Sequence, residues 1–199
     1  MKKFLTILFI CFLLCVSSSA SERHAMPVLK KSIDSVINMM KDKQKANTPE
    51  TKAVQRKKIF NIGLELFDFD EMAQRTLGKD WKQLSNDQKK QFSHLFARFL
   101  ANIYYQRLEE YTNETVKYLD ERQYKNKSLV KTIIVTQKNE IPMDYKLIKS
   151  DRWRVYDISI EGVSLVRNYR TQFNKILIKQ GIEDLMRMMQ KKLGQFSDL

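Results

Sequence analysis

The sequence is poor in cysteine, glycine, proline and histidine. Its 199 residues include 2 Cys, 5 Gly, 3 Pro and 2 His. This composition is typical of an ordinary globular chain and excludes a collagen-like or low-complexity protein. The sequence contains no glycine-rich loop of the kind that holds phosphates. Neither His24 nor His94 has a second ligand at helical or hairpin spacing, so the sequence predicts no metal site.

Both cysteines lie in an N-terminal segment with the features of a secretory signal peptide. Met1-Lys2-Lys3 precedes an almost wholly apolar run of 13 residues, 4–16, and the run is followed by Ser17-Ser18-Ser19-Ala20. A helix needs about 20 apolar residues to cross a bilayer, so this run is too short for a permanent anchor. We predict cleavage after Ala20, which leaves residues 21–199 as a single domain without thiols.

The chain is strongly basic. It has 36 Lys and Arg against 23 Asp and Glu, a net charge of +13. Removing Lys2 and Lys3 with the leader leaves 34 basic and 23 acidic residues, a net charge of +11. An exported protein rarely meets nucleic acid, so the predicted targets are anionic lipid headgroups and acidic faces of other proteins. A merely solvated basic surface remains the alternative.

The first half of the predicted mature chain has helical periodicity. Apolar residues at helical spacing predict helices over about 27–43 and about 50–66. Next, Asp68 or Asp70 can cap a short helix that ends at Gly78.

One further helix gives the clearest periodic signal in the chain. Ser85 and Gln88 have the spacing of a capping box, and the helix they begin is predicted to run for about 24 residues. Its apolar face is broad and aromatic. This face carries Phe92, Leu95, Phe96, Phe99, Leu100, Ile103, Tyr104, Leu108 and Tyr111.

After Asn113 the apolar period changes to two, which is typical of strands. Breakers near residues 125, 138 and 150 divide this region into an antiparallel meander of four strands. In the fourth strand the alternation predicts one face with Trp153, Val155 and Asp157, and the other with Tyr156, Ile158 and Ile160.

The C-terminal part of the chain returns to helical periodicity. Ser164 can cap a helix that Gly181 closes, and a last helix is predicted over 182–193. Helices, then an antiparallel sheet, then helices predict an α+β domain with helices packed on one concave sheet face.

The sequence offers little catalytic chemistry but an excess of large apolar side chains. Ser164 is not in a nucleophile elbow, because Val166 stands where that motif needs glycine. Asp157 is the strand carboxylate that a small-cavity enzyme would use, although a partner role for a buried polar group explains it equally. The 11 Phe, 8 Tyr, 2 Trp and 9 Met build a core or line a lipid-sized cavity.

Two blocks of residues resemble a known family. The first spans residues 67–73, Phe-Asp-Phe-Asp-Glu-Met-Ala, and continues through Leu77-Gly78, Trp81, Gln88 and the row Phe92, Phe96, Leu100 and Tyr104. The second reads Trp-Arg-Val-Tyr-Asp-Ile-Ser-Ile-Glu-Gly-Val-Ser-Leu over 153–165 and continues to Gly181-Ile182. Together they resemble the MlaC family, also called the toluene-tolerance family, over nearly all of the predicted mature chain.

That resemblance implies a periplasmic phospholipid carrier of a Gram-negative bacterium. Such proteins shuttle lipid between an outer-membrane complex containing MlaA and the inner-membrane MlaFEDB ABC transporter complex with its MCE-domain subunit, which maintains outer-membrane lipid asymmetry. The resemblance implies no catalytic site and no cofactor, with phospholipid as cargo and a monomer that binds no nucleic acid. The implied fold is a curved antiparallel sheet with helices around a deep apolar pocket, and the lipid headgroup lies near solvent.

Periodicity within that fold gives the candidate site residues. Those predicted to line the pocket are Phe92, Phe96, Phe99, Leu100, Ile103, Tyr104, Ile134, Met143, Tyr145, Trp153, Tyr156, Ile158, Val163 and Leu165. Those predicted to contact a headgroup or a partner are Arg152, Arg154, Arg167 and Arg170. Three alternatives remain open: a carrier of another lipid such as a hopanoid, a small-cavity enzyme, and an envelope adaptor without a cavity.

Overall fold

The computed structural model describes residues 24–41, 48–110 and 113–194. The predicted leader and its cleavage site lie outside the described residues. The helices are α1 (Ala25–Lys41), α2 (Pro49–Leu66), α3 (Phe69–Leu77), a short 3-10 helix (Asp80–Gln83), α4 (Asn86–Glu109) and α5 (Leu165–Gly194). The strands are β1 (Thr115–Tyr124), β2 (Lys127–Val135), β3 (Glu140–Lys149), β4 (Trp153–Ile160) and β5 (Val163–Ser164).

The predicted caps of α3 and α4 are confirmed. Asp68 Oδ1 accepts a hydrogen bond from the Glu71 backbone N–H at 2.9 Å, and Gly78 ends α3 with a φ of 61°. The Ser85 hydroxyl accepts from the Gln88 N–H at 3.2 Å, while the Gln88 side chain accepts from the Ser85 N–H at 3.0 Å. These short-range bonds fix where each helix begins, so local sequence determines their boundaries.

Helix α5 joins the two predicted C-terminal helices across a break. Its first turn is capped by Ser164, whose hydroxyl accepts from the Arg167 N–H at 3.1 Å. Gly181 interrupts the helix with a φ of 80°. A positive φ is readily adopted by glycine, so the residue predicted to close one helix bends a longer one.

Helix α1 begins earlier than the sequence predicts. The prediction placed Pro27 at the first helical position, but α1 starts at Ala25. The Ala25 and Met26 N–H groups donate to the Glu121 carboxylate of β1 at 2.8 and 3.2 Å. This distant side chain satisfies donors that a helix start leaves free, so the helix extends beyond its local signal.

The five strands form one open antiparallel sheet in the order β1-β2-β3-β4-β5. The predicted faces of β4 are wrong, because Tyr156 is an extra residue in a β-bulge: Leu147 pairs with Val155, and Lys146 with Asp157. The bulge resets the alternation and moves Asp157 to the opposite face. One face of β4 therefore carries Trp153, Val155, Ile158 and Ile160.

The apolar interior forms two clusters. A helical cluster joins α3, α4 and α5 through residues such as Met72, Phe96 and Phe173. A sheet-side cluster joins the first half of α1 and the end of α2 to the face that carries Val130, Tyr145, Leu147, Trp153 and Val155, which we call the inner face. Phe67, between α2 and α3, packs against both clusters.

Candidate functional site

The apolar side chains of the inner face extend beyond the part of it that is fully buried. Leu147, Val155 and Trp153 are fully buried at one end of the sheet. Toward the other end the inner face carries the polar residues Thr132, which is fully buried, and Tyr118, together with apolar side chains that are only half-buried. These half-buried residues are Val116, Ile134, Ile141, Met143, Ile158 and Ile160.

Helices α1 and α2 add apolar rows to the same layer. In α1, Leu29 and Ile33 belong to the sheet-side cluster and half-buried Ile37 continues their row at helical spacing. In α2, Ile59 and Phe60 are half-buried, and the helix ends at Leu66 in the same cluster. We call the half-buried inner-face residues together with these two helical rows the inner-face site. Its surface suits a flexible apolar ligand.

Polar contacts hold α1 onto the sheet beside this site. The Tyr118 hydroxyl donates to Asp34 Oδ1 at 3.0 Å, and Lys30 forms an ion pair with Asp34 at 2.9 Å. The Lys30 ammonium also lies over the Tyr118 ring, 4.5 Å from its centroid. Burial and the Asp34 carboxylate raise the pKa of Tyr118, so its hydroxyl stays protonated and remains a donor.

A second tyrosine gives the inner face a neutral polar group. Tyr145 is buried at 7% exposure, and its hydroxyl donates to the Met143 sulfur at 2.8 Å. Burial raises the pKa of Tyr145 well above its ordinary value, so the phenol is uncharged at neutral pH. The layer that a ligand would contact therefore carries no charge at this position.

The seam between α2 and α4 contains a cation that sequence reasoning missed. The Arg56 Nη2 donates to Asn102 Oδ1, and the guanidinium lies 4.9 Å from the centroid of the Tyr105 ring. Close by, Gln55 donates to the Met39 carbonyl at 2.6 Å and ties α2 to α1. The available signal was the spacing of Arg56, Phe60 and Gly63, which places a basic residue in the inward row of α2.

The predicted pocket residues separate into two groups. The inner face brings together Ile134, Met143, Tyr145, Trp153 and Ile158. The α4 candidates and Leu165 instead belong to the helical cluster or pack against it. Within this cluster Phe96 forms T-shaped ring pairs with Tyr169 and Phe173. The residues in this second group are Phe92, Phe96, Phe99, Leu100, Ile103, Tyr104 and Leu165.

Two further pocket candidates lie in neither group. Tyr156 is the bulged residue of β4, and the Arg75 guanidinium stacks over its ring at 4.3 Å. Val163 lies in β5 and is 62% exposed. Tyr156 therefore contacts α3, and Val163 contacts solvent.

The predicted arginines lie away from the inner-face site. Arg170 packs against Gly78 at the end of α3, and Arg154 pairs with Asp151 at 3.0 Å on the opposite, outer face of the sheet. Arg152 and Arg167 are exposed.

Asp157 is committed to structural contacts. Its carboxylate accepts from Lys146 at 2.9 Å, from the Ser164 hydroxyl at 2.8 Å and from the Val166 N–H at 3.2 Å. The side chain thus pairs with a cation and satisfies the start of α5 from the outer face. These contacts leave it outside the inner-face site, where a small-cavity enzyme would need its base.

The part of the chain that the structure describes contains neither a cluster of metal ligands nor a membrane-spanning helix. Among residues 24–41, 48–110 and 113–194, no group of three or more His, Cys, Asp and Glu could hold a metal ion. Within these same ranges no helix is long and apolar enough to span a bilayer.

Comparison with known proteins assigns the family. The sequence profile described as MlaC protein matches residues 30–191, which contain α2 to α4 and all five strands. The chain belongs to the MlaC family. The predicted resemblance is confirmed, and the matched region of this MlaC-family chain includes most of the inner-face site.

Two relatives of this MlaC-family chain were compared with it. One is the intermembrane phospholipid transport system binding protein MlaC of Haemophilus influenzae, which is 26% identical over 98% of this chain and 95% of its own length. The other is a phospholipid-binding protein from Ralstonia solanacearum, solved in complex with a phospholipid, with 24% identity and a TM-score of 0.72. That match covers 85% of this chain and 96% of the other, and it confirms the predicted α+β fold class.

Proposed function

We propose that this protein binds a phospholipid in the inner-face site and carries it through the periplasm. The observation that carries the proposal is the half-buried apolar layer between the sheet and helices α1 and α2. Membership of the MlaC family supports it, since the H. influenzae relative is named for intermembrane phospholipid transport. We place the protein, as a monomer, between an MlaA-type outer-membrane complex and an MlaFEDB-type ABC transporter complex.

A carrier of this kind needs a deep apolar site. Moving about 30 acyl methylenes from a membrane into water costs on the order of 24 kcal/mol at ~0.8 kcal/mol each. Exchange with a bilayer is balanced only if the protein buries nearly all of that surface. The apolar residues contributed by the sheet, α1 and α2 are suited to this burial.

The proposed role is binding without a catalytic step or cofactor. The phenol groups of Tyr118 and Tyr145 at the inner face are kept neutral by burial, and Asp157 is engaged with Lys146 on the outer face. The cargo is therefore expected to leave the protein chemically unchanged.

The first experiment identifies the cargo. The full chain is expressed with its N-terminal segment, purified from the periplasm without detergent, and analysed by native and denaturing mass spectrometry. We expect near-stoichiometric phospholipid on the chain that starts at Ser21. A protein that is purified without lipid and binds none after incubation with liposomes would contradict the proposal. A bound hopanoid would show that the cargo is a different class of lipid.

A matched pair of variants tests the location of the site. Ile133 and Ile134 are adjacent in β2 and both half-buried, but Ile134 points to the inner face and Ile133 to the outer face. Ile134→Asn places a polar amide against the acyl chains and should lower lipid occupancy about tenfold or more. Ile133→Asn should leave it near the wild-type value. Equal losses in both variants would argue against an inner-face site.

A further inference from the structure

The inward row of α2 leads from the apolar interior to a cation. Arg56, Phe60 and Gly63 are half-buried at positions i, i+4 and i+7, and the helix ends at Leu66 in the sheet-side cluster. Leu66 is ten positions after Arg56 in the sequence, which is about 15 Å along the helix axis. That distance is half of the roughly 30 Å hydrocarbon core of a bilayer, which is the depth one acyl chain occupies in its leaflet.

The Arg56 guanidinium has no carboxylate partner within the part of the chain that the structure describes. Its hydrogen-bond acceptor is the neutral amide oxygen of Asn102, and it lies over the Tyr105 ring. Its Nε is buried without a hydrogen-bond partner. A guanidinium stays charged, and a buried charge without a partner is costly.

The groups beside Arg56 are suited to an anion with several oxygen atoms. A guanidinium fork matches the oxygens of a phosphate, and the Nε donor is one arm of that fork. Asn102 carries an amide N–H2 group and Tyr105 a hydroxyl, and both groups can donate. Burial is the main cause that raises the pKa of Tyr105, so this hydroxyl keeps its proton at neutral pH.

We propose that Arg56, Asn102 and Tyr105 at the seam of α2 and α4 form a phosphate-binding subsite for the phosphodiester of the carried lipid. The inference rests on the proposed function and adds to it the group that recognises the headgroup. The apolar row of α2 receives an acyl chain, and the cation at its outer end receives the phosphate.

The test separates phosphate recognition from acyl burial. Wild type and variants are incubated with vesicles that hold equal amounts of phosphatidylglycerol and diacylglycerol with the same acyl chains. Native mass spectrometry then gives the ratio of the two bound lipids. Arg56→Gln should lower the phosphatidylglycerol share about tenfold or more, because charge-assisted hydrogen bonds are lost. The control is Lys57→Gln, which removes the same charge from an exposed position of α2 and should leave the ratio unchanged.

Asn102→Asp provides a second variant with a distinctive pair of outcomes. Asn102 is 2% exposed, and the substitution supplies a carboxylate where Arg56 lacks one. The lipid-free protein should then unfold at a higher temperature, while the phosphatidylglycerol share falls because the anion position is filled. A gain in stability with an unchanged lipid ratio would assign Arg56 a purely structural role.

Other outcomes overturn the inference or the function beneath it. A wild-type ratio in Arg56→Gln would overturn the phosphate subsite while leaving lipid carriage intact. If inorganic phosphate raised the unfolding temperature of wild type but not of Arg56→Gln, while Arg56→Gln kept the wild-type lipid ratio, the ligand of the subsite would be free phosphate and not the lipid. Failure of every variant and of wild type to bind either lipid would instead contradict the proposed function.

Discussion

Gly78 shows how one residue joins two elements at the end of α3. Its φ of 61° favours glycine, and a Cβ at this position would lie 2.5 Å from the Arg170 Nη2. Arg170, which the sequence predicted to contact a headgroup or a partner, therefore packs against Gly78. Any side chain at position 78 would displace the Arg170 guanidinium. This contact ties α5 to α3 within the helical part of the molecule.

Gly78→Ala should be more destabilising than a glycine substitution that adds strain alone. We expect a loss of about 1–2 kcal/mol in the free energy of unfolding, mainly from the strained φ, with a small addition because the flexible, exposed end of Arg170 must move aside. Gly162→Ala is the control, because its φ is 80° but no heavy atom lies within 4 Å of an added Cβ. Its expected loss is about 1 kcal/mol. Urea unfolding of both variants checks the difference, and equal losses would show that Arg170 yields without cost.

Buried tyrosines make stability depend on alkaline pH. Burial raises the pKa of Tyr169 to about 12, and it raises the pKa of Tyr145 further. Between pH 10 and the folded-state pKa the unfolded chain releases protons that the folded protein keeps, so stability falls as pH rises. The expected slope is up to about 1.4 kcal/mol per pH unit for each tyrosine.

Urea unfolding between about pH 9 and pH 11.5 measures this slope. Tyr169→Phe should make it shallower, because the substitution removes one of the hydroxyls that titrate differently in the two states. Tyr124→Phe is the control, since Tyr124 is 72% exposed and its hydroxyl contacts water in both states. A slope that stays the same in Tyr169→Phe would mean that Tyr169 does not contribute.

Among the elements, α1 depends most clearly on a distant side chain. Glu121 on β1 accepts from the Ala25 and Met26 N–H groups and from the Ser128 hydroxyl at 2.8 Å. The His24 ring lies 3.8 Å from the same carboxylate. One side chain thus caps the helix and joins it to β1 and β2.

Glu121→Ala should loosen α1 without unfolding the rest of the protein. We expect a loss of about 1–2 kcal/mol and faster amide hydrogen exchange within Ala25–Lys41. Glu140→Ala is the matched control, because Glu140 is an exposed glutamate of the same sheet that pairs with Lys117 at 2.8 Å. An α1 that exchanges equally slowly in both variants would contradict the capping role.

The elements that sequence predicted well are those fixed by local contacts. Asp68, Ser85 and Ser164 cap helices within three residues of themselves, so their signals are visible in a short window of sequence. The start of α1 and the faces of β4 were predicted wrongly for the opposite reason. Glu121 acts across nearly 100 residues, and the bulge at Tyr156 is defined by pairing with β3.

The candidate site shows the same division. The period of two placed Ile134, Met143 and Tyr145 on one face, because strand alternation follows from backbone geometry. The aromatic row of α4 identified an apolar helix face but not its neighbour, and that neighbour is mainly α3 and α5. Arg56 is one of 36 basic residues, and only tertiary structure shows that it is half-buried and that no carboxylate among residues 24–41, 48–110 and 113–194 pairs with it.

The arrangement of the two apolar clusters indicates how a lipid carrier could open. Phe67 packs against both clusters. The start of α1 is held by Ala25 and Leu29 in the sheet-side cluster, while its later turns contact the sheet through polar groups such as the 3.0 Å Tyr118–Asp34 hydrogen bond. Polar contacts of this kind exchange readily with water, and α1 forms one side of the inner-face site. We therefore expect lipid to enter and leave as α1 separates from β1.

Cross-linking α1 to β1 tests this expectation. The chain's only cysteines, Cys11 and Cys15, fall in the predicted leader, so a double variant with Asp34→Cys and Tyr118→Cys can be joined selectively by a short bismaleimide. The cross-linked protein should keep lipid that is already bound but exchange it with vesicles at least about tenfold more slowly, since the opening step is blocked.

The matched control joins two positions that are equally close on the outer face. Lys117 and Glu140 form a 2.8 Å ion pair between β1 and β3, so Lys117→Cys with Glu140→Cys accepts the same reagent without restraining α1. Exchange of labelled phospholipid should be as fast in this control as in unmodified protein. Equal exchange rates in the two cross-linked proteins would place the opening elsewhere, whereas slow exchange confined to the 34–118 cross-link would identify α1 as the moving element.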